Sequence, residues 1–281
     1  MEAPGSAIEN VPGLVVDRDE VTQYALQHVV GRVVLGDALK VLPKLEAECV
    51  DMVFIDPPYF LRLPRKELKR WRVKTVVEGV DDAWDRFVSL EEYDAFIANL
   101  LTETKRIMKP TATIWVIGTY HNIFRMGKIL QDLGFWILND VVWVKTNPMP
   151  NWLGVRFTNA TENLIWAVKD KKCKGYTFNK EYAKEFGIGR VGANVWMLPI
   201  CNGKERVRDH EGKKLHSTQK PVELLRRVIL TSTKEGDVVL DPMAGTGTTG
   251  YVAHSLGRRF VMVEMNPLYV HGIAHRFGGK T

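Results

Sequence analysis

The sequence predicts an α/β fold, a single doubly wound and mostly parallel sheet with helices on both faces. Three observations carry this reading. Apolar runs of strand length alternate with amphipathic helical segments along nearly the whole chain. Two of those runs, "VDMVFID" and "DVVLD", lead straight into proline, which has no N–H with which to continue a ladder. The 281 residues, 45% hydrophobic and 26% charged, supply enough apolar material for one large core.

Taken in order, "RVVLGD" reads as a strand, "ALKVLPKL" as a short helix and "VDMVFID" as a buried strand. Ser89 and Glu92 form a capping-box pattern that opens the helix "LEEYDAFIANLLTETKRIM". Tyr93, Phe96, Ile97, Leu100, Leu101 and Ile107 share one face of it. The strand "ATIWVIG", the helix "NIFRMGKILQDLG" and the strands "WILNDVVWVK" and "ENLIWAVK" follow. The series closes with the helix "PVELLRRVILTST", the strand "DVVLDP", a helix from about Thr248, the strand "RFVMVEM" and a helix from about Pro267. Residues 1–30 read as an N-terminal extension, a tail or a surface helix, before a domain over 31–281.

Two segments, about 61–88 and 146–215, break the rhythm and read as insertions. The first begins "LRLPRKELKRWRVK", with seven basic residues against one acidic. From about residue 170 the second is rich in Gly, Lys and Arg with weak periodicity and reads as a loop. Charge alone leaves each between a solvated surface and a binding loop.

Composition narrows the classes. No apolar run approaches the roughly 20 residues of a membrane span, and the start has neither a basic leader nor an apolar core. The expectation is a cytoplasmic protein with no membrane partner. Cys49, Cys173 and Cys201 are scattered, without the spacing of a metal site or a disulfide framework. The net charge of +6, from 39 basic and 33 acidic residues, is compatible with nucleic acid without demanding it.

Two motifs carry chemistry. In "DPPYF" the prolines hold Asp56 and Tyr59 at the carboxyl end of a strand, the edge where open α/β sheets bind ligands. In "VVLDPMAGTGTTG" a strand meets a glycine turn and then a helix. Gly245, Gly247 and Gly250 satisfy G-x-G-x-x-G, and Glu264 ends the next strand near the spacing of a ribose-binding acid. A nicotinamide or flavin site is the obvious alternative, but this turn lies in the last fifth of the chain, so most of the sheet must come from upstream. Between the motifs, "HSTQKPVELLRR" places Ser217, Thr218 and Lys220 before a helix, a position that favours a carboxylate or phosphate.

Together these pieces resemble the β group of DNA amino-methyltransferases, in which "DPPY" precedes "HSTQKP" and "DPMAGTGTTG" as it does here. The chain is most similar to the catalytic domain of the bacterial cell-cycle-regulated adenine methyltransferases, over about residues 30 to 277. The resemblance does not extend to their additional C-terminal domain, so it does not carry over their target sequence or their strand-opening mode. The resemblance implies a permuted Rossmann-like methyltransferase sheet, catalytic half before cofactor half. It also implies methyl transfer from S-adenosylmethionine to adenine N6 in double-stranded DNA, by base flipping. It brings a homodimer and a cognate restriction endonuclease into view as partners.

The same resemblance distributes the roles. Asp56, Pro57, Pro58 and Tyr59 form the catalytic corner, with the Asp56 carboxylate and the Pro57 carbonyl accepting from the target amine and Tyr59 facing the flipped base. Asp37 and Ala38 lie near the cofactor adenine, and Glu264 takes the ribose hydroxyls. Asp241, Pro242, Gly245, Gly247, Thr248 and Thr249 hold the methionine part and the turn. His216, Ser217, Thr218, Gln219, Lys220 and Asn266 complete the cofactor set, Lys220 pairing with the methionine carboxylate. Arg65, Lys66, Lys69 and Arg70 follow DNA phosphates. Asn147, Asn151, Arg156 and Asn159 face base edges or phosphates and Trp152 or Phe157 stacks on a base or wedges into the duplex, or else Trp152 and Phe157 are core and the Asn residues are turn formers. No metal is expected.

Cytosine-N4 transfer uses the same amine chemistry, although serine more often opens that tetrapeptide. A structured RNA substrate, a DNA-binding regulator with an inactive cofactor site and a nicotinamide dehydrogenase are the other readings. Cytosine-C5 chemistry needs a cysteine nucleophile, normally after proline, and no cysteine here follows one.

Overall fold

The computed structural model describes residues 13–60, 66–70, 73–77, 85, 87–151, 154–186, 192–209 and 211–278, with backbone only for 66–70 and 73–77. Eleven strands are described: β1 (Leu14–Val16), β2 (Arg32–Leu35), β3 (Val50–Ile55), β4 (Lys66–Arg70), β5 (Val73–Val77), β6 (Met108–Gly118), β7 (Trp136–Lys145), β8 (Thr161–Val168), β9 (Val195–Leu198), β10 (Val238–Asp241) and β11 (Arg259–Glu264). The helices are α1 (Leu26–Val29), α2 (Ala38–Val41), α3 (Leu90–Ile107), α4 (Ile123–Asp132), α5 (Lys180–Phe186), α6 (Val222–Ser232), α7 (Thr248–Ser255) and α8 (Pro267–Arg276).

Nine strands form one sheet in the order β1-β2-β11-β10-β3-β6-β8-β7-β9. Only the β6–β8 and β8–β7 pairings are antiparallel, so β8 alone runs against the others. The doubly wound, mostly parallel sheet is thus present, and the last strands in the chain lie between β2 and β3. From β3 the chain proceeds to β6 on one side, and from β10 to β11 on the other. The switch point falls between β3 and β10, so the "DPPY" and glycine turns leave adjacent carboxyl ends.

Period-two alternation builds two cores. Val53 and Ile55 of β3 and Ile114 and Val116 of β6 face one side, with the buried stripes of α3 and α4. Met52, Phe54, Trp115 and Ile117 face the other, against α6, α7 and α8. α3 starts where expected: Ser89 Oγ accepts the Glu92 N–H at 3.2 Å, and Glu92 Oε2 returns to the Val88 N–H at 2.5 Å. Its stripe of Tyr93, Ile97, Leu100, Leu101 and Ile107 is fully buried. Truncating Leu100 to Ala removes part of that seam, at about 2–5 kcal/mol.

Two readings change. The stretch from about 170 to 215 is not all loop: β9 extends the sheet beside β7, and α5 packs near α6. β9 is only four residues long, with one exposed side chain, Met197, between buried Trp196 and Leu198. So short a run carries little periodicity, and only its pairing with β7 makes it a strand. Within the N-terminal extension, Leu14–Val16 pair with β2, and Tyr24 is buried with its hydroxyl on Asp17 at 2.7 Å. In the first insertion, β4 and β5 form a separate two-stranded antiparallel hairpin. Lys66, Lys69 and Arg70 lie on β4, but their side chains, and Arg65, Trp71, Trp84 and Trp152 altogether, are outside the described residues.

Candidate active site

The crevice above β3 and β10 is a cleft of about 280 Å³. Its floor comes from the two strand-end turns and its walls from the starts of α2 and α8, the loop before α6 and the segment around Asp85 and Phe87.

On the β3 side the backbone is pinned from several directions. The Pro58 carbonyl accepts from the Tyr93 hydroxyl at 2.9 Å and from Asn122 Nδ2 at 3.4 Å. Among the described residues no hydrogen bond reaches the Pro57 carbonyl. Phe60 adopts φ +55°, a left-handed conformation that costs a non-glycine residue about 1 kcal/mol or more. That turn lays its ring on Tyr93, with centroids 5.8 Å apart, and brings its N–H to Asp85. The prolines and this aromatic anchor leave Asp56 and Tyr59 on a rigid corner.

The side chains of that corner join a buried charge cluster. Lys220 Nζ lies 2.7 Å from Asp56 Oδ2 and 3.9 Å from Glu162 Oε2. Glu162 accepts from the Tyr59 hydroxyl at 3.0 Å and pairs with Lys145 at 2.8 Å. The Lys220 ammonium also stands 5.0 Å from the Tyr59 ring centroid. Burial pushes the Asp56 carboxyl up, opposed by Lys220. Burial pulls Lys220 down, but Asp56 and Glu162 outweigh it and its pKa ends raised. Tyr59 is driven well above the ordinary phenol value by burial and the two carboxylates.

The β10 side is built from backbone. Gly245 and Gly247 take φ +53° and +71°, which side-chain-bearing residues rarely adopt. A Cβ on Gly245 would lie 3.4 Å from the His216 ring, on Gly247 2.8 Å from Ile273, and on Gly250 2.4 Å from Met262 Sδ. The three glycines thus serve the cleft, the α7–α8 approach and helix–sheet contact respectively. Glu264 accepts from the N–H of Gly245 and of Asn266, each at 2.7 Å. Asp241 accepts from the Met243 N–H at 3.0 Å. Burial raises both carboxyls to about 7, against these hydrogen bonds. His216, brought down to about 4 by burial and then by Lys220 and Arg206, is neutral, its Nδ1 facing the Thr218 N–H at 3.1 Å.

Most residues singled out from the sequence converge here: Asp37, Ala38, Asp56, Pro57, Pro58, Tyr59, His216, Thr218, Gln219, Lys220, Asp241, Pro242, Gly245, Thr248, Thr249 and Glu264 line the cleft. Ser217, Gly247 and Asn266 do not. Asn266 caps α8 instead, its Oδ1 accepting from the Leu268 N–H at 3.0 Å. Gln219 reaches away, binding the Val207 N–H and the Glu205 carbonyl at 2.9 Å each. The Lys220 ammonium, expected on a methionine carboxylate, rests on Asp56. It is buried at 7% exposure, where an unpaired cation is costly and the nearest anion holds it.

The loop after β7 is a separate exposed surface. Asn151 Nδ2 donates to the Arg156 carbonyl at 2.6 Å, and Asn147 Oδ1 accepts from the Ile200 N–H at 2.8 Å, so both shape loops. The Arg156 guanidinium donates to the Tyr120 hydroxyl at 2.9 Å; Asn159 is exposed, and Phe157 is 98% exposed.

Sequence reading missed Glu162, Lys145, Asp85, Phe87 and Phe96. Glu162 had only a weak local signal, an acid at the start of a strand whose later residues, from Leu164 on, are buried and apolar. The aromatic pair had none, since Phe87 and Phe96 reach the cleft through tertiary packing.

A family model described as DNA methylase matches residues 50–275. The type II methyltransferase M.HinfI of Haemophilus influenzae is 50% identical over 235 residues, which cover 84% of this chain and 65% of that protein. The type II methyltransferase M2.DpnII of Streptococcus pneumoniae is 42% identical over 236 residues, covering 84% of this chain and 85% of that protein. Among solved structures, the cytosine-N4-specific PvuII DNA methyltransferase shares the fold with a TM-score of 0.67 at 18% identity, covering 92% of this chain and 87% of its own. The M1.HpyAVI–SAM complex does so with a TM-score of 0.61 at 24% identity, covering 87% and 98%.

Proposed function

The chain belongs to the DNA methylase family, and from that premise we propose that it transfers the methyl group of S-adenosylmethionine to the exocyclic N6 of adenine in a specific double-stranded DNA sequence. The observation that carries this reading is the meeting of the Asp56 corner and the Gly245 turn in one cleft.

The residues present fit the cofactor. A Cβ would narrow the cleft at Gly245, where backbone must approach a ligand closely. Glu264 and Asp37 offer carboxylates to hydroxyls along the same wall, and the buried Asp241 offers a third anion toward a cationic ligand. When bound, S-adenosylmethionine supplies an electrophilic methyl group on a sulfonium.

The chain's part is to prepare the amine. An exocyclic amine is a poor nucleophile because its lone pair is delocalised into the ring. The Asp56 carboxylate and the Pro57 carbonyl accept its two N–H bonds and favour a more pyramidal nitrogen, with its lone pair toward the methyl group. Burial raises the Asp56 carboxyl, and the charge of Lys220 opposes that rise. Tyr59 presents a ring face to a base taken out of the duplex, while Phe87 and Phe96 line the same cleft with apolar surface.

Arg156, Phe157 and Asn159 form the DNA-facing loop, with the basic hairpin strand carrying Lys66, Lys69 and Arg70 beside it in function. Similarity to type II methyltransferases supports a cognate endonuclease acting on the same site, with a homodimer as the further assembly. Among the described residues no helix is long and apolar enough to cross a membrane, in keeping with cytoplasmic action.

Incubation with S-adenosylmethionine and mixed-sequence duplex DNA, followed by nucleoside mass spectrometry, tests the reading. N6-methyladenine is the expected product. N4-methylcytosine is the second reading, favoured by the fold shared with a cytosine-N4-specific enzyme; the absence of both products overturns both readings.

A further inference from the structure

We propose that Glu162 is a positioning residue for methyl transfer, anchoring the Tyr59 hydroxyl and sharing Lys220 with Asp56 so that the cation can leave the carboxylate when the target amine arrives. The inference rests on the amine-methyltransferase reading and deepens it.

The geometry poses a conflict that Glu162 resolves. Asp56 must accept an N–H from the amine, yet Lys220 already occupies Oδ2 at 2.7 Å. A lysine that stayed there would compete with the substrate for the acceptor. Glu162 Oε2 lies 3.9 Å from the same ammonium, too far for a hydrogen bond but within a small torsional movement of one. Lys145, on the other oxygen at 2.8 Å, holds Glu162 in place. Two carboxylates and two ammoniums therefore balance, and Lys220 moves between anions without leaving a bare charge in the interior. Oε2 also receives the Tyr59 hydroxyl at 3.0 Å, so the residue that takes the cation also orients the ring facing the base.

The ionisable groups facing this device are Asp56 and Tyr59 after β3, Lys145 on β7 and Lys220 before α6; Asp241 adds its charge to Lys220 and interacts with Asp56, and Lys220 in turn lowers His216. Glu162 raises Asp56 by its charge and Lys220 lowers it. Removing either Glu162 or its partner Lys145 therefore displaces the acid limb of the rate profile, in opposite directions. In Glu162→Gln, Lys220 rests on Asp56 alone and the limb moves to lower pH. In Lys145→Met, Glu162 draws Lys220 away and the limb moves to higher pH.

The experiment is single-turnover methylation of mixed-sequence duplex DNA across pH, by wild type, Glu162→Gln, Lys145→Met and Tyr59→Phe, with thermal unfolding of each. The expected results are a fall of about tenfold in the maximal rate of Glu162→Gln and opposite limb shifts of about half a unit or more. The Michaelis constant for S-adenosylmethionine stays near wild type in both, and the Tyr59→Phe limb moves to higher pH, because the hydroxyl that helps to lower Asp56 is gone. A wild-type rate and limb in folded Glu162→Gln overturns the proposal, as do limb shifts of the same sign in the two charge variants. Should Glu162→Gln fail to fold, an unshifted limb in Lys145→Met is enough to overturn it. A wild type that methylates no amine overturns the functional reading instead, so the two failures are distinguishable.

Discussion

Asp56 and Asp241 end neighbouring strands and open into one crevice, yet the chain holds them in opposite ways. Asp56 precedes a proline-stiffened turn and is bonded by side chains drawn from distant elements, chiefly Lys220. Asp241 precedes a glycine turn and is bonded by its own loop, through the Met243 N–H. On the proposed reading, the first arrangement places an acceptor and a ring at the reacting atom, and the second shapes backbone around a ligand that has only to be held. That reading divides catalysis from binding, and substitutions can test how cleanly.

The largest expected effect is on the β3 side. Asp56→Ala should lower single-turnover transfer by about a thousandfold or more, while cofactor affinity by calorimetry stays within a few-fold. Loss of both together would break the division.

On the β10 side the signature is stability and its pH dependence. Glu264 has a carboxyl raised from 4.5 to about 7, and Asp241 one raised from 3.8 to about 7. A carboxyl that is harder to ionise when folded contributes stability that is fully present below its unfolded value and is lost as pH rises through about 7. The unfolding midpoint should therefore fall between about pH 4 and 8. Glu264→Gln should flatten that slope by on the order of 3 kcal/mol, read by denaturant titration at several pH values. An unchanged slope would locate the linkage elsewhere.

Gly247→Val places a branched side chain at φ +71° and a Cβ 2.8 Å from Ile273. It should cost about 2–3 kcal/mol in unfolding free energy and weaken cofactor binding, leaving the β3 cluster intact. The smallest effect concerns the exposed loop: Arg156→Ala should reduce DNA affinity a few-fold and lower the salt slope by about one. A changed base preference with an unchanged slope would assign Arg156 to base edges rather than phosphates.

Legibility in the sequence followed the range of the interactions involved. The Ser89 cap, the stripe of α3, the proline stop after Ile55 and the positive-φ glycines depend on neighbours within a few residues. Each was readable because local sterics and hydrogen bonds dictate it. The meeting of the two motifs in one cleft was readable through motif order, since the strand-end rule places both turns on one edge of the sheet. β9 was not readable, because four residues carry too little periodicity.

What the sequence determined by itself is the chemistry on offer: an aspartate and a ring on a stiff corner, a glycine turn with a spaced acid, and the α/β alternation that sets both at strand ends. What only the tertiary structure decided is which charges meet. Glu162 reaches Tyr59 across 103 positions of chain, and Lys220 pairs with Asp56. Pairing β8 between β6 and β7 and winding β10 beside β3 puts four ionisable side chains into a space with little water. There each ion must find its opposite, and no local pattern records the partner it finds.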